Sequence, residues 1–130
     1  MASCPERLWE AAALMDVAAA YFERFNSKNF DEMVGLFGPG YTYAETLFPE
    51  PRDAARHVAL MRQIAQSYPN RQMNVRRRVP GANGEVVEAV WSGTQAASGT
   101  TMTLDCLFAV DIEPKSGLIS RMRGYYEPPA

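Results

Sequence analysis

Histidine and cysteine are scarce in this chain. His57 is the only histidine, and Cys4 and Cys106 are the only cysteines, far apart in the sequence. They offer no zinc-ligand spacing, which argues against a structural zinc motif. Without a secretion signal, the two cysteines read as reduced thiols rather than as a disulfide. Basic charge is also short. Thirteen Lys and Arg against 15 Asp and Glu leave a net charge of −2, and a pI of about 5.4 creates no field that would attract nucleic acid. The one dense basic run, Arg76-Arg77-Arg78, would divide between the two faces of a strand. No apolar run approaches the roughly 20 residues of a membrane span. Glu6 and Glu10 interrupt the basic-then-apolar order of a signal peptide, so a cytoplasmic protein is expected. A phosphate-cradling glycine motif, a serine nucleophile elbow, an internal repeat and a low-complexity tail are all missing.

What remains is the composition of a globular domain. At 130 residues, 47% hydrophobic and 22% charged, the chain suits one domain over residues 1–130 with one core. Residues 5 to 25 are predicted helical, with Leu8, Ala12, Met15, Ala19 and Phe22 on one apolar stripe and Tyr21 and Phe25 a little round from it. Asn29 is placed to cap a short second helix carrying Met33, Val34 and Phe37, which Gly38-Pro39-Gly40 ends. A third helix is predicted from about Arg52 or Asp53 to Ser67, with Val58, Met61 and Ile64 or Ala65 buried and His57 at the boundary of that stripe.

From Gln72 the chain reads as strands. Gln72 to Val79, Glu85 to Gly93, Thr101 to Asp111 and Leu118 to Glu127 are separated by turn residues. In the third of these, Met102, Leu104, Cys106, Phe108 and Val110 share a face. In the last, Met122 and Tyr126 oppose Arg121 and Arg123. Helices followed by hairpin-linked strands imply an α+β fold, with a mostly antiparallel sheet curving over three helices. Such a cone encloses a hollow of the kind small molecules occupy.

The stretch with chemical content is Tyr41 to Arg52. Tyr41, Tyr43 and Glu45 alternate, so a strand points all three to one face. A lone carboxylate among aromatics is disfavoured in its charged form, and its pKa rises toward the range of a general base. The alternative at this point is a hydrated Glu45 at the strand mouth.

The order of elements resembles the nuclear transport factor 2-like fold, most closely the ketosteroid isomerases, over about Val17 to Glu127. The segment from Tyr21 to Arg52 lies on the isomerase pattern without a gap. Tyr21 then falls on the oxyanion-hole tyrosine, Glu45 on the catalytic aspartate, and Glu50-Pro51-Arg52 on an identical tripeptide. Ser92-Gly93-Thr94 and Arg123-Gly124-Tyr125-Tyr126 also resemble the SnoaL-like polyketide cyclases. Two departures stand out. The isomerases' second oxyanion acid falls on Cys106, a weak donor, and the cyclases' acid/base aspartate falls near Gly124. The aspartate-arginine-aspartate set of the limonene epoxide hydrolases is absent too.

The resemblance implies a cofactor-free site with Glu45 as base and Tyr21 as oxyanion donor, acting on a small apolar carbonyl or polycyclic ligand. It implies a cavity lined by Tyr43, Phe25, Met61 and Trp91. Cys106, Phe108, Met122 and Tyr126 would complete it. A homodimer through the outer sheet face is implied as well, with Arg121, Arg123 and Tyr125 in its contacts; no nucleic-acid or membrane partner is expected. Isomerisation, dehydration and cyclisation all begin from a stabilised enolate. A ligand-binding protein without catalysis and a dimeric scaffold remain alternatives, and the sequence does not decide whether the protein is an enzyme.

Overall fold

The computed structural model describes residues 16–127. Among the described residues there are three helices: α1 over Val17–Ser27, α2 over Phe30–Met33 and α3 over Ala54–Ser67, with a 3-10 turn at Val34–Leu36 after α2. Five strands follow the expected order: β1 over Phe37–Glu45, β2 over Gln72–Gly81, β3 over Gly84–Thr94, β4 over Thr101–Ile112 and β5 over Ile119–Tyr126. They form one sheet in the order β1-β5-β4-β3-β2. Only the β1–β5 pair is parallel; β2–β3, β3–β4 and β4–β5 are antiparallel. The architecture is thus the expected α+β, with helices packed on a curved, open sheet.

Local chemistry explains the boundaries. The Asp16 side chain accepts from the Ala19 amide at the start of α1, and that of Asp53 accepts from the Arg56 amide at the start of α3. Each satisfies an amide that the helix itself leaves free. Lys28 adopts a left-handed conformation and closes α1. Arg78 of β2 grips both Asp16 and Glu85, at 2.6 Å each, and so ties the sheet to the start of α1.

Some expectations shift. The part of the first helix expected before Asp16, with Leu8, Ala12 and Met15, lies outside the described residues. The buried face of α1 is Val17, Ala18, Tyr21, Phe22 and Phe25, while Ala19 points outward. An alanine has too little apolar area to set the phase of a helix against three aromatic rings. Phe37, expected on the second helix, begins β1 instead and stacks on Tyr41, with ring centroids 3.9 Å apart. The intervening Gly38-Pro39-Gly40 bends the strand rather than ending a helix, and Gly40 takes the positive φ that such a bend needs. The register against β5 shifts over the same residues.

The core lies between helices and sheet. Along β4, Leu104, Cys106, Phe108 and Val110 are buried, and Met102 packs against them. Arg71 is buried as well. Its guanidinium lies 4.1 Å from the Phe25 ring and donates to the Phe25 carbonyl at 2.6 Å. On the outer face Arg121, Leu107 and Tyr125 are exposed and Arg123 is half-buried. No helix among the described residues is long and apolar enough to cross a membrane.

Candidate active site

The alternation on β1 places its three side chains as expected. Tyr41, Tyr43 and Glu45 are all buried on the inner face, and Glu45 is only 5% exposed. Glu45 is therefore not exposed at the strand mouth. The Tyr43 hydroxyl donates to Glu45 Oε2. Burial raises the carboxyl pKa above its ordinary value; the Tyr43 hydrogen bond and the more distant Arg52 charge offset part of that rise.

The loop after β1 turns back on this residue. Tyr43 and Arg52 exchange backbone hydrogen bonds of 2.8 Å in both directions. The Arg52 guanidinium donates to the carbonyls of Phe48 and Glu50 at 3.1 and 3.0 Å. This holds Leu47 and Phe48 at the strand end, each partly exposed. Across the β1–β5 junction, the Tyr126 amide donates to the Thr46 hydroxyl at 2.9 Å, which in turn donates to the Tyr126 carbonyl at 3.3 Å. Tyr126 is thereby fixed relative to Glu45.

A hollow of about 290 Å³ opens at this point. Glu45, Leu47 and Phe48 form one side of its wall, Ile64 and Tyr68 come from the end of α3 and the residue after it, and Trp91, Met102, Leu104 and Tyr126 come from the sheet. Glu45 is the one charged side chain in that wall. Trp91 packs edge-on against Tyr68, centroids 5.1 Å apart, and Tyr126 packs edge-on against Phe108 at 5.7 Å. The Tyr126 phenol is held far above its ordinary pKa, first by burial and then by the nearby Glu45 carboxylate. It stays a neutral donor at any physiological pH.

Gly124 sits directly beneath the pair. A Cβ there would lie 3.3 Å from both Glu45 Cβ and the Tyr43 hydroxyl, and 3.1 Å from Phe108 Cε1. The missing side chain at Gly124 thus makes room for a carboxylate delivered from β1.

The expected residues separate into two groups. Glu45, Trp91 and Tyr126 line the hollow. Tyr21, Phe25, Met61, Phe108 and Met122 are buried in the core behind it, as is Tyr43, which reaches the site through its hydroxyl. The Tyr21 hydroxyl meets His57 Nε2 at 3.0 Å rather than the hollow. Cys106 lies against the Ala89 carbonyl at 3.3 Å and Met73 Sδ at 3.6 Å. It borders a more open depression of about 500 Å³ edged by the charged side chains of Arg76, Glu88 and Asp105. Burial pushes its thiol pKa up to about 12.

His57 is not a boundary residue. It is fully buried, with Nε2 on Tyr21 and Nδ1 on Tyr41 at 2.8 Å. Its ring stacks on Tyr43, centroids 3.8 Å and planes 12° apart. Burial depresses its pKa to about 3, so the imidazole is neutral, donating to one phenol and accepting from the other. The spacing His57, Met61, Ile64, Tyr68 is one continuous helical face, and that was the available signal for the wall residues Ile64 and Tyr68. Leu47 and Phe48 belong to a loop and carried no periodic signal.

Helices packed on a curved, open and mostly antiparallel sheet define a fold class: the cone-shaped nuclear transport factor 2-like and ketosteroid isomerase-like fold. The chain belongs within it to the SnoaL-like domain family, whose model matches residues 18–122. No curated protein matches. Among solved structures, it is similar to a hypothetical protein with ketosteroid isomerase-like fold from Catenulispora acidiphila, in complex with trimethylamine; identity is 13%, coverage 87% of this chain and 86% of that one, and TM-score 0.78. IdmH from Streptomyces antibioticus, assigned as a polyketide cyclase, matches at 17% identity over 86% of this chain and 90% of its own, TM-score 0.75. A Xanthomonas campestris protein with the same assignment matches at 20% identity over 88% and 90%, TM-score 0.73. At these identities the likeness establishes the fold.

Proposed function

We propose that the protein is a cofactor-independent enzyme that moves protons on a small apolar carbonyl compound through an enolate. The observation that carries this reading is the single, desolvated carboxyl of Glu45 in an otherwise apolar and aromatic wall. A base that is poorly solvated and poised above the ordinary carboxylate range is suited to taking a proton from a carbon acid. Glu45 removes the proton alpha to the carbonyl; the C–H electron pair forms the enolate C=C bond and the carbonyl π pair moves onto oxygen. Of the two phenols on the wall, Tyr68 and Tyr126, the one assigned to donate to that oxygen is Tyr126. It lies close enough to Glu45 to feel its charge, and its backbone is pinned to Thr46 beside β1; Tyr21 is engaged with His57. Tyr43 positions Glu45, and Tyr21, Tyr41 and His57 hold Tyr43. Glu45 then returns the proton to another carbon of the conjugated enolate as the carbonyl re-forms, or the enolate carbon attacks a second carbonyl carbon of the same molecule, whose π pair moves onto its oxygen and takes the proton from Glu45 as the ring closes.

The test is deuterium uptake alpha to the carbonyl of an apolar cyclic ketone in heavy water, followed by NMR. Catalysed uptake by the wild type that is lost in Glu45→Gln supports the reading. Tight ketone binding without uptake replaces it with a ligand carrier. Self-association belongs to the same proposal: Leu107 and Tyr125 face each other across β4 and β5 on the exposed side, an apolar pair suited to the centre of an interface. Sedimentation equilibrium at micromolar concentration should give a dimer, and monomer alone would remove this part.

A further inference from the structure

We infer that the ligand of the hollow is an uncharged ketone of one or two fused rings, and that four-ring carbonyl compounds and carboxylates are excluded. The inference rests on the enolate reading for its carbonyl, and on the dimensions and chemistry of the wall for everything else.

The free volume sets the size. A dry apolar cavity of about 150 Å³ holds one benzene ring. The hollow beside Glu45, at about 290 Å³, is close to twice that and falls at the small end of the range for ligand sites. The sheet limits its length. Trp91 stands on β3, Leu104 on β4, Tyr126 on β5 and Glu45 on β1, so the wall crosses three strand spacings, roughly 14 Å between backbones at about 4.8 Å each. The Trp91 ring and the Glu45 side chain occupy part of that span at its two sides.

The walls do not yield easily. A Cβ on Gly93 would lie 2.9 Å from Trp91 Cη2 and 3.2 Å from Tyr68 Cβ. The indole is therefore pressed between its own strand and α3's end. Leu104 is buried, and Tyr126 is held by the Thr46 hydroxyl and by Phe108. Leu47 and Phe48, exposed by 45% and 39%, are the most exposed residues of the wall and have space to move. A larger ligand must displace that loop and leave rings in water.

Charge is selected as strictly. No cationic side chain lines the hollow, and its one ionisable carboxyl would repel an anion. A carboxylate ligand would thus give up its hydration for neutral phenol donors alone, beside a carboxyl of like charge. The aromatic surfaces of Phe48, Tyr68, Trp91 and Tyr126 favour flat, unsaturated rings.

The experiment is calorimetric titration of the full chain with three probes: 2-tetralone, a four-ring 5-ene-3-keto steroid, and 2-naphthoate, which matches the tetralone in size and carries a charge. The tetralone is expected to bind at least about tenfold more tightly than either of the others. Phe48→Ala, at a partly exposed loop position, should narrow the gap by improving steroid binding while weakening the tetralone. A steroid that binds the wild type as well as the tetralone overturns the size limit, and naphthoate binding equal to the tetralone overturns the charge limit. Absence of tetralone binding overturns the inference altogether. Deuterium uptake is read separately in the same samples: tetralone that binds without exchanging hydrogen leaves the size and charge selection standing and removes the enolate reading alone.

Discussion

The imidazole of His57 lies flat on the ring of Tyr43, with centroids 3.8 Å apart. Both ring nitrogens of His57 are bonded, to Tyr21 and Tyr41, so the imidazole cannot rotate without breaking two buried hydrogen bonds. Tyr43 is sandwiched against it and presents its hydroxyl to Glu45. The position of the one carboxyl in the hollow is therefore set by a stack of aromatic rings reaching across α1, β1 and α3. A protein that used a second ionised group for the task would have to desolvate two charges instead of one.

Removing the link between this stack and the carboxyl isolates its contribution. In Tyr43→Phe the ring still fills its place, and Glu45 loses its hydrogen bond. That bond holds the carboxyl pKa down against burial, so the variant should titrate at higher pH than the wild type. Carboxyl-carbon NMR measures this directly. The acid limb of the pH–activity profile should move upward with it, and stability should fall by about 1–2 kcal/mol.

Acid should expose the role of His57. Its folded pKa, about 3, lies below its ordinary value of 6.5. Between those values the unfolded chain binds a proton that the folded chain does not, so this group makes stability rise with pH across that window. Its contribution is complete above about 6.5 and is lost as pH falls toward 3, on the order of a few kcal/mol at about 1.4 per unit. Glu45 acts with the opposite sign. Its folded pKa is above 4.5, and stability declines as pH rises from there to the folded value. Urea unfolding from pH 3.5 to 8 should show the His57 rise in Glu45→Gln with the opposing trend gone. In His57→Phe the rise should be flattened; an unchanged slope would show that His57 titrates normally.

The elements of this arrangement were unequally legible in the sequence. Tyr41, Tyr43 and Glu45 alternate within one strand, and a period of two is a local property, so their shared face could be read. The inner face of β4 was readable for the same reason. His57 was not, because its partners lie 36 and 16 residues away in sequence. A polar residue next to an apolar stripe looks like a boundary until β1 is known to run beside α3. The resemblance to the isomerases paired Tyr21 with Glu45 in one pocket, yet a match of sequence says nothing of which way a hydroxyl points. The hollow itself is what remains after Phe22, Phe108 and Met122 have packed, and no linear pattern reports such a remainder.

Cys106 gives a sharper contrast. By resemblance it stands at a second oxyanion acid, and Cys106→Asp would then be expected to raise turnover of an enone. The thiol faces the Ala89 carbonyl and Met73 instead and does not line the hollow. We therefore expect Cys106→Asp to leave turnover without gain and to lower stability by about 1–3 kcal/mol, since burial disfavours the ionised form of a group at this position and a carboxyl there gives up much of its hydration. Thermal unfolding and an enone assay on the same preparation check both halves. A clear gain in turnover would show that β4 reaches the substrate.

The decisive substitutions are at Glu45 and Tyr126. Glu45→Gln keeps the shape of the side chain and can still accept from Tyr43, so the fold should persist while the basicity disappears. Loss of a positioned general base lowers the rate by about 10²–10⁴-fold, and alpha-proton exchange should fall by that amount with ketone binding little changed. Glu45→Asp keeps the charge but withdraws the carboxylate by one methylene, and should retain a rate between the two. Tyr126→Phe removes a donor to the developing oxyanion. It should lower the rate by about 10²-fold, with its larger effect on kcat than on KM, because the enolate oxygen accepts more strongly than the ketone. Tyr21→Phe makes the comparison complete. Its hydroxyl meets His57 and not the hollow, so it should weaken stability more than turnover. Should Tyr21→Phe abolish exchange while Tyr126→Phe leaves it intact, the oxyanion would have to sit deeper in the cone than the wall of the hollow, and the roles of the two phenols would be reversed.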